Sequence, residues 1–247
     1  MKSNLKFSVI TLFPEMFLPL QNEGIIARAI KNQQVSLNTV FLRDFSDHPR
    51  KNVDKQPAGG GDGMVLRADI TEKALLSVLS PDAFVINLTP SGKIFDSNLA
   101  KTLAKKSHLI LLCGRYAGFD HRLELEYADI NISIGDFVLS GGELPAMCLI
   151  DSVTRFIPGV LGNEESALFD SFEDGLLEAP QYTHPEEFHG HSIPKVLLSG
   201  DHKKIKEFNR KEQLKVTARN RPDLILSKWD EFSKQEKIII EKIWKSG

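Results

Sequence analysis

Three glycine-bearing turns are the places where this sequence could do chemistry. The fullest lies in residues 129–158, DINISIGDFVLSGGELPAMCLIDSVTRFIP. An apolar run there breaks at Gly135, breaks again at Gly141-Gly142, and passes into a helix with Pro145 in its first turn. Glycine has no Cβ, so backbone can approach a ligand closely at such a bend. Between a buried strand and a buried helix, the bend would offer N–H and C=O groups rather than reactive side chains. Thr89-Pro90-Ser91-Gly92 and Gly114-Arg115-Tyr116-Ala117-Gly118 are the other two, each following a short apolar run. Composition alone allows two readings of these turns, a ligand cradle and a tight connection with nothing bound.

Several common chemistries lack their residues. Gly59-Gly60-Gly61-Asp62-Gly63 has no Gly-Lys-Ser/Thr ending to hold phosphates, and no G-x-G-x-x-G follows a strand-like run. His184, His189 and His191 are separated by Pro185 and Gly190 with no cysteine near, which suits a surface loop better than a metal site. Cys113 and Cys148 lie far apart in apolar runs. They read as two buried thiols of a reducing compartment, not a disulfide or a nucleophile.

The elements that must position the turns alternate. Strands are expected over 6–12, 35–41, 84–88, 109–113 and 130–134. Helices are expected over 24–32, 69–80, 97–106 and 121–127, with Asp96 or Ser97 as a cap. Short apolar strands alternating with helices predict an α/β fold with a parallel sheet covered on both faces. Ligands of such sheets sit beyond the carboxyl ends of the strands, where all three turns fall. After Gly142, residues Ala146, Leu149, Ile150, Val153, Phe156 and Ile157 follow the spacing of one buried helical face. Asp151 and Arg155 fall on another face, four residues apart, where they can pair. Residues 44–63 read as a long loop, and 159–177 as an acidic, glycine-bearing linker. Helices follow over 204–218 and 230–244. The expected organisation is a domain over 1–160, a linker over 161–177 and a small all-α domain over 178–247.

With 247 residues, 41% hydrophobic and 26% charged, the chain can bury a sizeable core. No run reaches the roughly 18 apolar residues of a membrane span. The apolar run before Pro14 is too short for a signal-peptide core, so a cytoplasmic protein is expected. The net charge of −2 conceals an asymmetry. Residues 201–247 carry 13 Lys+Arg against 8 Asp+Glu, a net of +5, while the rest carries −7. A basic tail on an acidic body fits a polyanionic partner or a lysine-rich solvated surface.

Longer motifs carry a resemblance. Cys113-Gly-Arg-Tyr116, Ser133-Ile-Gly-Asp136, Val138-Leu-Ser-Gly-Gly-Glu-Leu-Pro-Ala146, Asp151-Ser-Val153 and Arg155-Phe-Ile-Pro-Gly-Val-Leu-Gly162 resemble bacterial tRNA (guanine-N1)-methyltransferases. So do Leu12-Phe-Pro-Glu-Met-Phe17, Tyr182-Thr-His-Pro185, Val196-Leu-Leu-Ser-Gly200 and Arg221-Pro-Asp-Leu224, in collinear order along nearly the whole chain. The resemblance implies a SPOUT-class α/β domain whose C-terminal part is threaded into a deep trefoil knot. Its knot loops would bind S-adenosylmethionine through Leu88, Thr89, Pro90, Gly114, Tyr116, Ile134, Gly135, Asp136, Phe137, Val138, Leu139, Gly141 and Gly142. It also implies an obligate homodimer with shared sites and a helical domain that grips tRNA. Dependence on Mg²⁺ is left open.

The implied reaction methylates N1 of the guanine 3′ of the anticodon. By position, Asp170 in Phe169-Asp-Ser-Phe172 matches the family's general base, and Arg155 its partner for guanine O6. Without the resemblance Asp170 reads as a linker or cap residue, and Arg155 as the partner of Asp151. The chain departs from the family pattern at Ala117, usually Glu, and Asn87, usually Tyr. It departs again at Lys55, Ala58, Asp62, His184, Asn209, Val216 and Asn220. These bear on rate and tRNA affinity more than on the reaction. Two alternatives stay in view: a SPOUT enzyme acting on a different RNA, and a cofactor-binding RNA module without catalysis.

Overall fold

In the computed structural model, which describes residues 4–162 and 170–246, every residue of the strand His108–Cys113 is buried. A strand buried along both faces needs a sheet covered on both sides. In chain order the elements around it are β1 (Leu5–Thr11), α1 (Leu18–Asn22), α2 (Gly24–Lys31), β2 (Val35–Phe41), β3 (Asp54–Lys55), β4 (Val65–Leu66), α3 (Ala68–Leu76) and β5 (Ala83–Ile94). Then come α4 (Ser97–Leu103), β6 (His108–Cys113), α5 (His121–Tyr127), β7 (Ile130–Ser133) and α6 (Glu143–Arg155). The main sheet has the order β2-β1-β6-β5-β7, and every pairing in it is parallel.

Alternation along β6 explains the two cores. Leu109, Leu111 and Cys113 join a cluster with Ala29 of α2, Leu103 of α4 and Leu149, Ile150 and Val153 of α6. Ile110 and Leu112 point the other way, to Ile70 and Leu75 of α3 and Leu123 of α5. The buried face expected for α6 is therefore the one that packs on the sheet, with Phe156 only partly buried.

Some boundaries differ from the sequence expectation, each for a local reason. The strand expected to end at Leu88 continues to Ile94. Its ladder with β7 reaches Leu88↔Ile132, skips, and resumes at Lys93↔Ile132. Residues 89–92 are thus an excursion inside one strand rather than a turn that ends it. α3 stops at Leu76 because the Ser77 hydroxyl donates to Ala74 O at 2.7 Å and Pro81 follows. The loop 44–63 contains β3, which pairs antiparallel with β4. Cys113 is buried, but Cys148 is exposed on α6, contrary to the expectation for both.

The chain divides into two compact units, 1–162 and 163–247. Of the expected linker, residues 163–169 lie outside the described residues. Residue Leu176 is buried with Leu214, Ala218, Ile225 and Ile240 in the second unit's core. The backbone N–H of Leu177 donates to Thr217 Oγ1 at 2.9 Å. The helices there run His202–Asn220, Pro222–Ser227 and Lys234–Ser246. The last begins later than expected because Ser233 and Glu236 form a reciprocal cap, Ser233 N–H donating to Glu236 Oε2 and Glu236 N–H to Ser233 Oγ. The unit is not all-α. Glu187–Phe188 and His191–Ser192 form a small hairpin, closed by His189 and Gly190 at φ of 51° and 81°. Those two positive values are what a two-residue hairpin turn requires. Among the described residues no helix is long and apolar enough to cross a membrane.

One buried titratable group ties β6 to its neighbours. His108 takes Ser8 Oγ on Nε2 and Ser80 Oγ on Nδ1, both at 2.9 Å. Burial, and then the charge of Lys6, hold its pKa below the ordinary 6.5. A depressed folded value means the unfolded chain takes up the proton first. Stability from this site is therefore intact above pH 6.5 and lost as pH falls through the folded value. Thermal melts of the wild type should fall more steeply between pH 6.5 and 5 than those of His108→Gln. Parallel profiles would remove His108 as the cause.

Candidate functional site

At the carboxyl ends of β6, β5 and β7 lies a cleft of about 320 Å³, within the size range of small-molecule sites. The excursion 89–92, the loop 114–118 and the bend 134–142 all line it. β6, β5 and β7 are neighbours in the sheet, so turns spread over some 50 residues of sequence meet at one edge. The structure brings together Leu88, Thr89, Pro90, Gly114, Tyr116, Ile134, Gly135, Phe137, Val138, Leu139, Gly141 and Gly142 as cleft-lining residues. Asp136 is not among them.

Glycine is needed where backbones crowd. A Cβ on Gly92 would sit 2.4 Å from Ile132 N, so the excursion can rejoin its strand only through glycine. A Cβ on Gly142 would sit 2.7 Å from Cys113 Cα, although its φ of −79° would suit any residue. That close approach lets Gly142 N–H donate to Gly114 O at 2.9 Å, pinning the bend against the end of β6. Opposite it, Tyr116 adopts φ +60° and Ala117 N–H donates to Met64 O. That bond ties the loop 114–118 to the residue before β4.

Beneath the bend is a buried ion pair that the sequence reading did not single out. Glu143 is fully buried at the start of α6. Its Oε2 accepts from Arg115 Nε and its Oε1 from the Thr11 hydroxyl, both at 2.8 Å. Arg115 also donates to Ser140 O at 3.2 Å and stacks over Phe13 at 4.3 Å. Burial pushes the Cys113 thiol well above its usual range, with Glu143's charge adding to the shift. That thiol is packing, not a nucleophile.

The cleft lining carries the polar side chains of Asn87 and Glu124. Asn87 and Asn131 face each other across β5 and β7, and Glu124 of α5 accepts from both. A polar residue inside each of the apolar runs FVINL and INI was the signal available for this cluster. Asp120, the acid closest in sequence to Ala117, is occupied elsewhere. It caps α5 and is held down to about 2 by bonds from the Arg122 guanidinium and backbone N–H. It does not line the cleft.

The two residues expected to act on substrate lie in different units. Arg155 is in the last turn of α6, partly buried, and Asp170 is in a turn of the second unit, where Glu173 N–H donates to its carbonyl at 3.3 Å. Among the described residues no group of three or more His, Cys, Asp or Glu side chains is placed to hold a metal ion.

A parallel sheet with three glycine-bent loops gathered at the ends of adjacent strands is an open α/β domain, with a cleft where sheets of this class take their ligands. The matches to known proteins narrow this further. Residues 5–227 match the family model described as tRNA (Guanine-1)-methyltransferase TrmD. A Syntrophomonas wolfei protein named tRNA (guanine-N(1)-)-methyltransferase is 44% identical over 239 residues, 97% of each chain. Proteins of that name from Dictyoglomus turgidum and Ruminiclostridium cellulolyticum are 46% and 48% identical. They cover 90% and 89% of this chain, and 90% and 96% of their own. The chain belongs to the tRNA (guanine-1)-methyltransferase TrmD family.

The pinned bend makes a definite prediction. Gly142→Ala should lose about 1–3 kcal/mol of stability through overpacking against backbone atoms that cannot move aside. Gly162→Ala, whose Cβ would meet nothing within 4 Å, serves as the control and should unfold like the wild type in urea. Equal midpoints for all three proteins would contradict the close approach.

Proposed function

We propose that this protein transfers a methyl group from S-adenosylmethionine to N1 of the guanine 3′ of the anticodon in tRNA. The observation that carries the reading is the convergence of the three loops on one cleft in a chain of this family. The cleft suits the cofactor by its size and by its backbone lining. Cβ atoms on Gly135, Gly141 or Gly142 would collide with protein atoms 2.2–2.7 Å away, so glycine is what lets these loops pack into the walls of the cleft. When bound, S-adenosylmethionine supplies a methyl group carried on a sulfonium.

The chain's own residues meet the remaining demands. Guanine N1 carries a proton and is a poor nucleophile until that proton leaves. In this reading the Asp170 carboxylate takes it, and the freed N1 electron pair forms the new bond to carbon. The cofactor, held by the three loops, would give up its methyl carbon to that pair and leave as a neutral thioether, its sulfur keeping the electrons of the old bond. Charge moving toward guanine O6 is met by the Arg155 guanidinium. Support for Asp136 as a cofactor contact is weaker than for its neighbours, since it stands outside the cleft lining. No metal-ligating group supports a Mg²⁺ site among the described residues.

The finer features implied by the family fit the same picture. A knotted threading is supported by the segment after β7, which passes β5 and is hydrogen-bonded to the end of β6. A homodimer with shared sites is supported by Val138, 85% exposed beside the cleft with Tyr116 and Phe137. The excess of positive charge in residues 201–247 suits tRNA, and such an enzyme would work in the cytoplasm.

The test is methyl transfer from radiolabelled S-adenosylmethionine to a tRNA transcript with guanine 3′ of the anticodon, against a matched transcript with adenine there. Label on the first alone, recovered as N1-methylguanosine, is the expected result. Label on both, or on a different nucleoside, would point to another RNA target. Cofactor binding with no transfer to either would favour a non-catalytic RNA-binding module. Asp170→Ala should lower turnover by at least about 100-fold, the usual contribution of a general base, while cofactor affinity holds. Turnover near wild type would remove Asp170 from the mechanism.

A further inference from the structure

Among the described residues lining the cleft, Glu124 alone carries a formal charge. Its side chain keeps about 26% of its exposure, so the carboxylate reaches the cleft without being sealed in. Two amides fix its orientation. Asn131 Nδ2 donates to Oε1 at 2.8 Å and Asn87 Nδ2 to Oε2 at 3.2 Å. Asn87 Nδ2 also reaches Asn131 Oδ1 at 3.1 Å, so the two asparagines lock each other across the β5–β7 register. His121 Nδ1 stands 3.7 Å from Oε1.

Each carboxylate oxygen can accept about two hydrogen bonds, and one amide on each leaves capacity toward the cleft. Neutral amides orient the group and leave its charge unmatched. The remainder of the lining is backbone and uncharged side chains, suited to a neutral heterocycle and its sugar. A charged acceptor is strongest opposite a charged donor, and the cofactor has one such donor, its α-ammonium group. The sulfonium is cationic but has no hydrogen to donate.

We infer that Glu124 is a binding residue for the α-ammonium group of the cofactor's amino-acid moiety, with Asn87 and Asn131 as its positioning residues. This rests on the reading of the cleft as the S-adenosylmethionine site. It assigns a ligand group to the only charged side chain among the described lining residues, and gives Asn87, a departure from the family pattern, a task.

Calorimetric titration of three ligands tests it: S-adenosylmethionine, S-adenosylhomocysteine and 5′-methylthioadenosine. The last keeps the adenosine and a thioether but has no amino-acid part. Glu124→Gln should weaken the first two alike, by about ten- to a hundred-fold, the scale of a hydrogen bond to a charged group. Binding of 5′-methylthioadenosine should be unchanged, which also shows that the variant is folded. Asn131→Ala should produce a smaller loss with the same pattern. Equal weakening of all three ligands would assign Glu124 to the adenosine and overturn the proposal. Weakening of S-adenosylmethionine alone would assign it to the sulfonium, and no change in either variant would remove it from the site. Failure of wild-type protein to bind any of the three would remove the cofactor reading and this proposal with it.

Discussion

The Glu143 carboxylate, fully buried and shared between the Thr11 hydroxyl and the Arg115 guanidinium, is the contact on which the site depends. It joins the end of β1, the loop after β6 and the first turn of α6. A carboxylate out of water is tolerated only when its partners are in place, and losing one typically costs about 3–5 kcal/mol. The pair therefore specifies where the chain must go after β7. The same guanidinium reaches Ser140 O, so one side chain fixes both the charge and the path of the bend above it.

From this anchor the cleft follows by steric necessity. Gly142 can lie against Cys113 because it has no Cβ, and Gly92 can lie against Ile132 for the same reason. The two contacts hold the bend and the β5 excursion, both of which line the cleft. The sheet beneath supplies rigidity, with side chains of β6 alternating between α2, α4 and α6 on one face and α3 and α5 on the other. Loops that bind a ligand through backbone groups need such a support, because their geometry resides in the chain path rather than in side chains that could readjust.

Much of this was legible in the sequence because periodicity reports burial. The apolar strands, the face of α6 and the three turns came from patterns of one or two residue types. What was not legible came from partners distant in sequence. Nothing near Glu143 in sequence marks it as a buried carboxylate, since Thr11 lies 132 residues away. The β5 excursion read as a strand end because its continuation is specified by register with β7, not by local composition. Glu124 was invisible because nothing near it in sequence shows that Asn87 and Asn131 converge on it. Asp170 and Arg155 drew attention through family resemblance alone, since an acid in a turn and a basic residue ending a helix are common solvated features.

The most direct measurement is a crystal structure of the protein with S-adenosylhomocysteine bound. The account predicts the ligand between residues 88–92, 114–118 and 134–142, with its adenosine against backbone groups and its ammonium toward Glu124. Density at any other place on the molecule, with this cleft empty, would contradict it.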